Sequence, residues 1–412
     1  MIHTLKRSLA ILATTALFTM PASAGELVIN TDASFPAVKE AFQVAVDGFE
    51  KENPDIKVTL NVFDNEAYKT AIRNFLSAES PDLATWFAGN RMLPYVNSGL
   101  FAPIDDVWAE NDMGNTLKAS ESSVTFDGHQ WAIPYTYYQW GVYYRKDIFE
   151  KLGIAVPTNW EEFKAAGEKL KENGITPVSI GTKFQWTAAG WFDYLNLRTN
   201  GYDFHMAVTR GEIPWTDERI RKTMANWEEL IKADFFLKNH AAYSWQEALP
   251  ALVNGDAGMY LMGNFIVAPL QEAGLDNEKL GFFQFPSIDA SIAMAEDAPA
   301  NTLHLAANAR NVEEAKKFLA YIARADVQTD INKIMVQLPV NNQSTVADDP
   351  YLQAGFEMLS NVDGGLAQFF DRDASAEMAK AGMEGFQEFM VKPERLDVIL
   401  DRLETVRKRY HQ

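Results

Sequence analysis

Hydrophobic positions change period repeatedly along this chain, and each change marks an element. Residues 26–30 (ELVIN) form a short apolar run that predicts a strand. Val38, Phe42, Val46 and Phe49 follow at helical spacing, and Asn53-Pro54 ends that helix. Ile56, Val58, Leu60 and Val62 alternate with Lys57, Thr59 and Asn61, the period of a half-buried strand. A second helix is expected over about 66–79, with Tyr68, Ile72 and Leu76 on one face. Pro81-Asp82 breaks it, and 83–87 reads as a buried strand. This order predicts a mostly parallel sheet with helical crossovers.

The pattern recurs downstream. Thr158 with Glu161 reads as a capping box, opening a helix that Asn173-Gly174 stops. A short strand is expected over 177–180. Asn311 with Glu314 reads as a weaker box, and the helix it opens buries Ala315, Phe318, Leu319 and Ile322. Residues 377–410 read as strongly helical, with Arg402, Arg407, Lys408 and Arg409 towards a basic end that suits the helix dipole. The chain contains no repeat of solenoid period.

The first 24 residues carry a different pattern. Lys6 and Arg7 precede a short apolar stretch over 8–20, and Ala22-Ser23-Ala24 offers small residues for cleavage. Thirteen residues at helical rise span about 20 Å, too short for a hydrocarbon core of about 30 Å. A secretory signal is expected, leaving 388 of the 412 residues. Gly25 stands where a lipid-anchored product would need a cysteine, so an unanchored periplasmic protein is expected.

Composition narrows the chemistry. The length favours two lobes over one core. Fifty-six acidic against 37 basic residues, a net charge of −19, argues against nucleic acid as a partner. The absence of cysteine removes disulfides, thiolate metal sites and cysteine nucleophiles together. No phosphate-binding loop, nucleophile elbow or dinucleotide fingerprint occurs, and no two histidines have metal-ligand spacing on a helix. No catalytic residue, metal or cofactor is implied. A glycosidase-type carboxylate pair stays open, because such pairs are set in space.

The remaining signal is aromatic rings beside polar groups. Trp86, Asn90 and Arg91 stand at the end of the third expected strand, where open α/β sheets place ligands. Residues 131–140 alternate aromatics and include Tyr138 and Trp140. Residues 181–191 place Trp186 and Trp191 in what reads as a loop after a strand or the start of a packed helix. Residues 368–373 offer Phe370 and either Asp371 or Arg372. Rings that stack on the C–H face of a pyranose, with amides, carboxylates and guanidinium at its hydroxyl edge, are what a sugar requires.

Six stretches in order carry a further signal: FEKENPDIKV at 49–58, SPDL at 80–83, NSGLFAPID at 97–105, YYRKDIF at 143–149 with Gly153, Pro157 and TNWEE at 158–162, FLAYI at 318–322, and LPV at 338–340. In these stretches the chain resembles the carbohydrate-binding family of bacterial ABC-importer solute-binding proteins that includes maltose-binding protein. Gly263-Asn264-Phe265 replaces the family's Gly-x-Trp, and no lysine follows the first strand.

The resemblance implies a type II periplasmic-binding-protein fold: two α/β lobes, a three-segment hinge and ligand in the cleft. The implied division is 25–136 with 303–341 against 137–302 with 342–412, with crossings near 135–140, 301–305 and 339–344. By position, the ligand groups implied are Ser34, Asn65, Glu66, Trp86, Asn90, Arg91, Tyr138, Trp186, Trp245, Asn264, Phe265, His304, Phe370 and Arg372. The implied partners are a small carbohydrate and membrane permease subunits; a monomer is expected. The implied action is capture by hinge closure, not catalysis. An anionic sugar derivative, a non-sugar solute and a secreted carbohydrate enzyme remain alternatives.

Overall fold

The computed structural model describes residues 25–410; the expected signal segment lies outside them. Each predicted element of the first hundred residues forms. Strands Gly25–Thr31, Ile56–Val62 and Leu83–Phe87 alternate with helices Pro36–Glu52 and Asn65–Ala78. Gly25–Thr31 pairs in parallel with both other strands. Two more strands extend the sheet: Ala300–Leu305 pairs antiparallel with Leu83–Phe87 on one side and with Ile133–Tyr137 on the other. Four of the five strands therefore point the same way, as the expectation of a mostly parallel sheet requires, and Ala300–Leu305, returning from the far lobe, runs opposite to them.

A second sheet holds Leu280–Phe283, Trp140–Arg145, Ala257–Gly263 and Thr176–Val178 in that order. Each sheet has its own core. One gathers Leu27, Ile29, Phe42, Phe49, Ile133, Leu303, Phe318 and Leu319. The other gathers Tyr143, Phe163, Trp191, Phe192, Trp227, Tyr260 and Phe386. The result is two α/β lobes.

The chain passes between them at Tyr138-Gln139, where one sheet's strand ends at Tyr137 and the other's begins at Trp140. It returns at Ala298-Pro299, between the short strand Glu296–Asp297 and Ala300–Leu305. The third passage follows Asn342, whose backbone N–H still bonds Thr116 O at 2.9 Å in the first lobe. Thr136 Oγ donates to Gln337 Oε1 at 2.8 Å, and Tyr137 and Leu338 exchange backbone bonds at 3.0 Å, so the first and third passages are tied together.

Several local predictions shift. The box at 158–162 is one residue late: Asn159 caps Glu162 N–H at 3.0 Å, and Glu162 accepts from Thr158 N–H and Oγ. Asn311 caps nothing with its side chain, because that amide is drawn to Asp82 at 3.1 Å. The C-terminal helix is two, Ala376–Val391 and Leu396–Tyr410, since Pro393 interrupts the ladder. No helix among the described residues is long and apolar enough to cross a membrane.

A candidate ligand cleft between the lobes

The cleft is built from the ends of elements. On the first lobe, Asp64 caps the Asn65–Ala78 helix by accepting from Glu66 and Ala67 N–H at 3.1 and 3.0 Å. That turn presents Asn65, Glu66 and Lys69 to the cavity, with Lys69 and Glu66 paired at 3.0 Å. Asp32, just past the first strand, accepts from Asn65 Nδ2 at 2.6 Å and from Thr85 Oγ at 2.9 Å. Both of its carboxylate oxygens are thus held in place at the cavity wall.

On the second lobe the wall is aromatic. Tyr138, Trp140, Trp186, Trp245, Phe265 and Phe369 line it. Trp140 packs on Phe369 at 4.4 Å between ring centres, Tyr138 on Phe265 at 5.3 Å and Trp245 on Phe265 at 5.4 Å. Edge and tilted contacts of this kind fix each ring's orientation. Trp186 sits at the first turn of the helix Trp186–Asn200, after Gln185 in the left-handed region at φ 68°. The 181–191 stretch is therefore a loop and a helix start in succession.

Arg372 lies between the lobes. Its guanidinium donates to Tyr138 Oη at 2.9 Å and Asn301 Oδ1 at 3.3 Å, and lies 4.3 Å from the centre of the Phe87 ring. The enclosed space is about 400 Å³, within the range of small-molecule sites. Burial pushes the Tyr138 hydroxyl pKa up, so it remains a neutral donor and acceptor.

The structure brings Asn65, Glu66, Tyr138, Trp186, Trp245, Phe265 and Arg372 to this cavity. It places the other predicted residues elsewhere. Trp86 is 5% exposed, packed on Tyr95 at 5.1 Å, with its indole N–H donated to Arg91 O. Phe370 is fully buried against Phe192, Trp215 and Phe386. Asn264 is fully buried, accepting from Tyr143 Oη at 2.7 Å and donating to Val336 O. His304 is buried on its strand, stacked on Phe101 and bonded to Thr302 Oγ and Trp131 O; burial lowers its pKa to about 3. Asn90 and Arg91 reach across to the other lobe, to Asp373 and to Asp371 O, outside the cavity lining. Ser34 is half-buried beside Ala33, which does line it.

Residues not predicted also line it: Asp32, Asp64, Lys69, Phe87 and Phe369 among them. The cap Asp64 and its first turn were readable as a helix start at a strand end, which is the available signal for that group.

This architecture, two lobes around a crevice of small-molecule size between the strands that cross from lobe to lobe, is that of a solute receptor. The chain belongs to the bacterial extracellular solute-binding protein family, whose model matches residues 32–329. It is 30% identical over 321 residues to an ABC transporter extracellular-binding protein of Pyrococcus horikoshii, covering 76% of this chain and 70% of that one. It is 24% identical over 286 residues to the multiple sugar-binding protein of Streptococcus mutans, covering 68% and 67%. The crystal structure of the bacterial solute receptor AcbH, described as preferring β-D-galactopyranose, superposes at a TM-score of 0.88 with 31% identity over 94% of this chain and 100% of that one.

Proposed function

We propose that this protein is the periplasmic receptor of an ABC importer and captures a neutral pyranose sugar of one or two rings. The observation that carries this reading is a wall of oriented aromatic rings facing carboxylate, amide and guanidinium groups across one cavity. A pyranose needs both faces at once: a ring for its C–H surface and paired donors and acceptors for its hydroxyls. The names of the relatives and of the superposable receptor point the same way.

Charge separates the neutral sugar from an anionic one. Asp32, Asp64, Glu66, Glu247 and Asp371 line the cavity against Lys69, Lys183 and Arg372. Lys69 is already paired with Glu66, and Lys183 lies 3.9 Å from Glu247. Arg372 is engaged by Tyr138 and Asn301. An anion entering here meets five carboxylates against three cations, and the one cation without an ion pair, Arg372, already donates to two neutral groups.

The action we propose is clamping. The lobes swing about the three passages, at Tyr138-Gln139, at Ala298-Pro299 and after Asn342, a few residues from the divisions expected at 136/137, 302/303 and 341/342, and a sugar touching both walls favours the closed form. The sugar is released unaltered to permease subunits. A monomer suffices, because one chain supplies both walls. The test is calorimetric titration of the mature protein with D-galactose, D-glucose, D-xylose, lactose and maltose, beside galacturonate and glucose 6-phosphate. Saturable binding of a neutral sugar that survives in its original form supports the reading. Binding confined to the anions, or hydrolysis of a disaccharide, would overturn it.

A further inference from the structure

Two carboxyl groups outside the cleft have no obvious reason to be charged. Asp193, in the helix Trp186–Asn200, and Asp297, in the strand Glu296–Asp297, are both fully buried. Asp193 Oδ2 accepts the Phe370 N–H at 3.1 Å. Its Oδ1 has no partner, and neither oxygen of Asp297 has one. An ionised carboxylate in that state carries a desolvation cost that nothing offsets.

The surrounding groups supply no net countercharge, since the attraction of Asp297 to Arg198 is offset by Glu296 beside it. Arg198 is the buried cation here, and it is matched to Glu296: its Nη2 bonds Glu296 Oε1, while Nε donates to Phe285 O at 3.0 Å and Nη1 to Ala295 O. Glu296 also accepts from Gln284 Nε2 at 2.8 Å and Tyr194 Oη at 3.0 Å, so both of its oxygens are hydrogen-bonded. Asp371 adds a negative charge felt by both aspartates.

His205 approaches Asp193, with Nε2 at 3.8 Å from Oδ1. Its protonation state follows from its neighbour. Asn196 Oδ1 accepts from Asn200 Nδ2 at 2.8 Å, which fixes the amide so that its Nδ2 donates to His205 Nδ1 at 3.1 Å. Nδ1 is then a lone pair and the ring is neutral. Burial, which lowers the His205 pKa to about 3, agrees.

The position of these groups gives them a task. Asp193 holds the first N–H of the Phe370–Asp373 turn that carries Arg372. Asp297 pairs in register with Ala367 on the approach to that turn. Four residues beyond Asp297, Asn301 accepts from Arg372.

We propose that Asp193 and Asp297 retain a proton between them at neutral pH, and that this protonated pair positions the Arg372 turn against the strand crossing between the lobes. The role in recognition rests on the sugar-receptor reading; the proton itself does not. Burial raises both pKa values, so the folded protein binds the proton more tightly than the unfolded chain. The stabilisation is complete below the ordinary aspartate range of about 4 and is lost as pH rises towards the native values.

The test uses the mature protein without sugar, beside Asp297→Asn and Asp193→Asn, each a neutral mimic of the protonated acid. Infrared spectra of the parent at pH 7 should contain a carboxylic-acid C=O band that Asp297→Asn removes or weakens. Urea stability of the parent should fall from about pH 5 to about pH 9, and the variants should be flatter. Amide-exchange protection of Phe370 should change over that range in the parent, because the Asp193 carboxyl that accepts its N–H changes charge, and should change less in Asp297→Asn. If Asp193→Asn does not fold, the parent and Asp297→Asn suffice. A parent with no acid band at pH 7, or a stability slope matched by Asp297→Asn, overturns the shared proton. Unchanged Phe370 protection across the range overturns the positioning role. Neither result bears on sugar binding, which the titrations above measure separately.

Discussion

A single buried side chain organises the first lobe. Asp82 is 2% exposed and accepts four bonds: from Val28 N–H, Arg310 N–H, Asn311 N–H and Asn311 Nδ2, at 2.8 to 3.1 Å. It joins the first strand to the start of the Val312–Ile322 helix, which arrives more than two hundred residues later. Replacement by Ala removes the buried acceptor of three backbone N–H groups, those of Val28, Arg310 and Asn311. Asp82→Ala should lower stability by about 3 kcal/mol or more, read as a lower urea midpoint with unchanged slope. A variant within about 1 kcal/mol of the parent would refute this role. The sequence displayed Pro81-Asp82 as a breaker and a family-like element, but a carboxylate's partners over such separations are set by the fold. Trp86 and Trp186 show the same limit. Both stand beside polar residues near an element's end, yet one indole is bonded within its own lobe and the other lines the cavity. Composition around a tryptophan does not tell which side of the sheet's edge it faces.

Elements were more legible than roles. The period of two over 56–62 and the helical spacing over 38–49 each recovered their element, because both faces of the pattern are enforced by one core. Turn-level features were harder, since Thr158 and Asn159 compete for one cap and only geometry decides. The Trp186–Asn200 helix shows an element shaping the site. It is buried all round from Thr187 to Thr199, so no amphipathic stripe announced it. At Gly190 a Cβ would stand 2.8 Å from Trp140 Cζ3. Gly190 therefore lets the Trp140 ring, 2% exposed, lie beneath the helix with its other side at the cleft. Gly190→Ala gains about 1 kcal/mol of helix propensity and loses about 1–3 kcal/mol to overpacking. Net stability should change little, while the displaced ring narrows the cavity. Titration with the sugar that the parent binds should show affinity lowered by about tenfold, with altered tryptophan fluorescence. Parent-like affinity and spectrum together would show that Trp140 has room to spare.

At the scale of the molecule, two lobes were expected from length and three passages were implied by the family resemblance, whereas the contacts that hold the lobes together were not anticipated. The Phe370–Asp373 turn is central to them. Asp371 and Arg372 line the 400 Å³ cleft, while Asp373 lines a second interlobe cavity of about 620 Å³ with Asn90, Tyr137 and Val340. This turn is the partition between two spaces, and the first lobe grips it: Asn90 N–H reaches Asp373 Oδ1 at 3.0 Å, Asn90 Nδ2 reaches Asp373 O at 2.6 Å, and Arg91 bonds Asp371 O. Phe35 against Trp245, at 5.7 Å, and Lys69 over Trp186, at 5.9 Å, close the other rim. Bonds between lobes favour the closed arrangement only if opening breaks them, and a ligand's affinity then includes their free energy. Asn90→Ala removes the amide bond and keeps the backbone one, a loss of about 1 kcal/mol. A bond made only in the closed form should then lower sugar affinity about fivefold without touching a ligand group. Small-angle scattering of the free protein should show a larger radius of gyration for the variant, with the difference abolished by saturating sugar. Unchanged affinity and radius would mean that the bond persists through opening, and the hinge axis would then have to pass close to Asn90 itself.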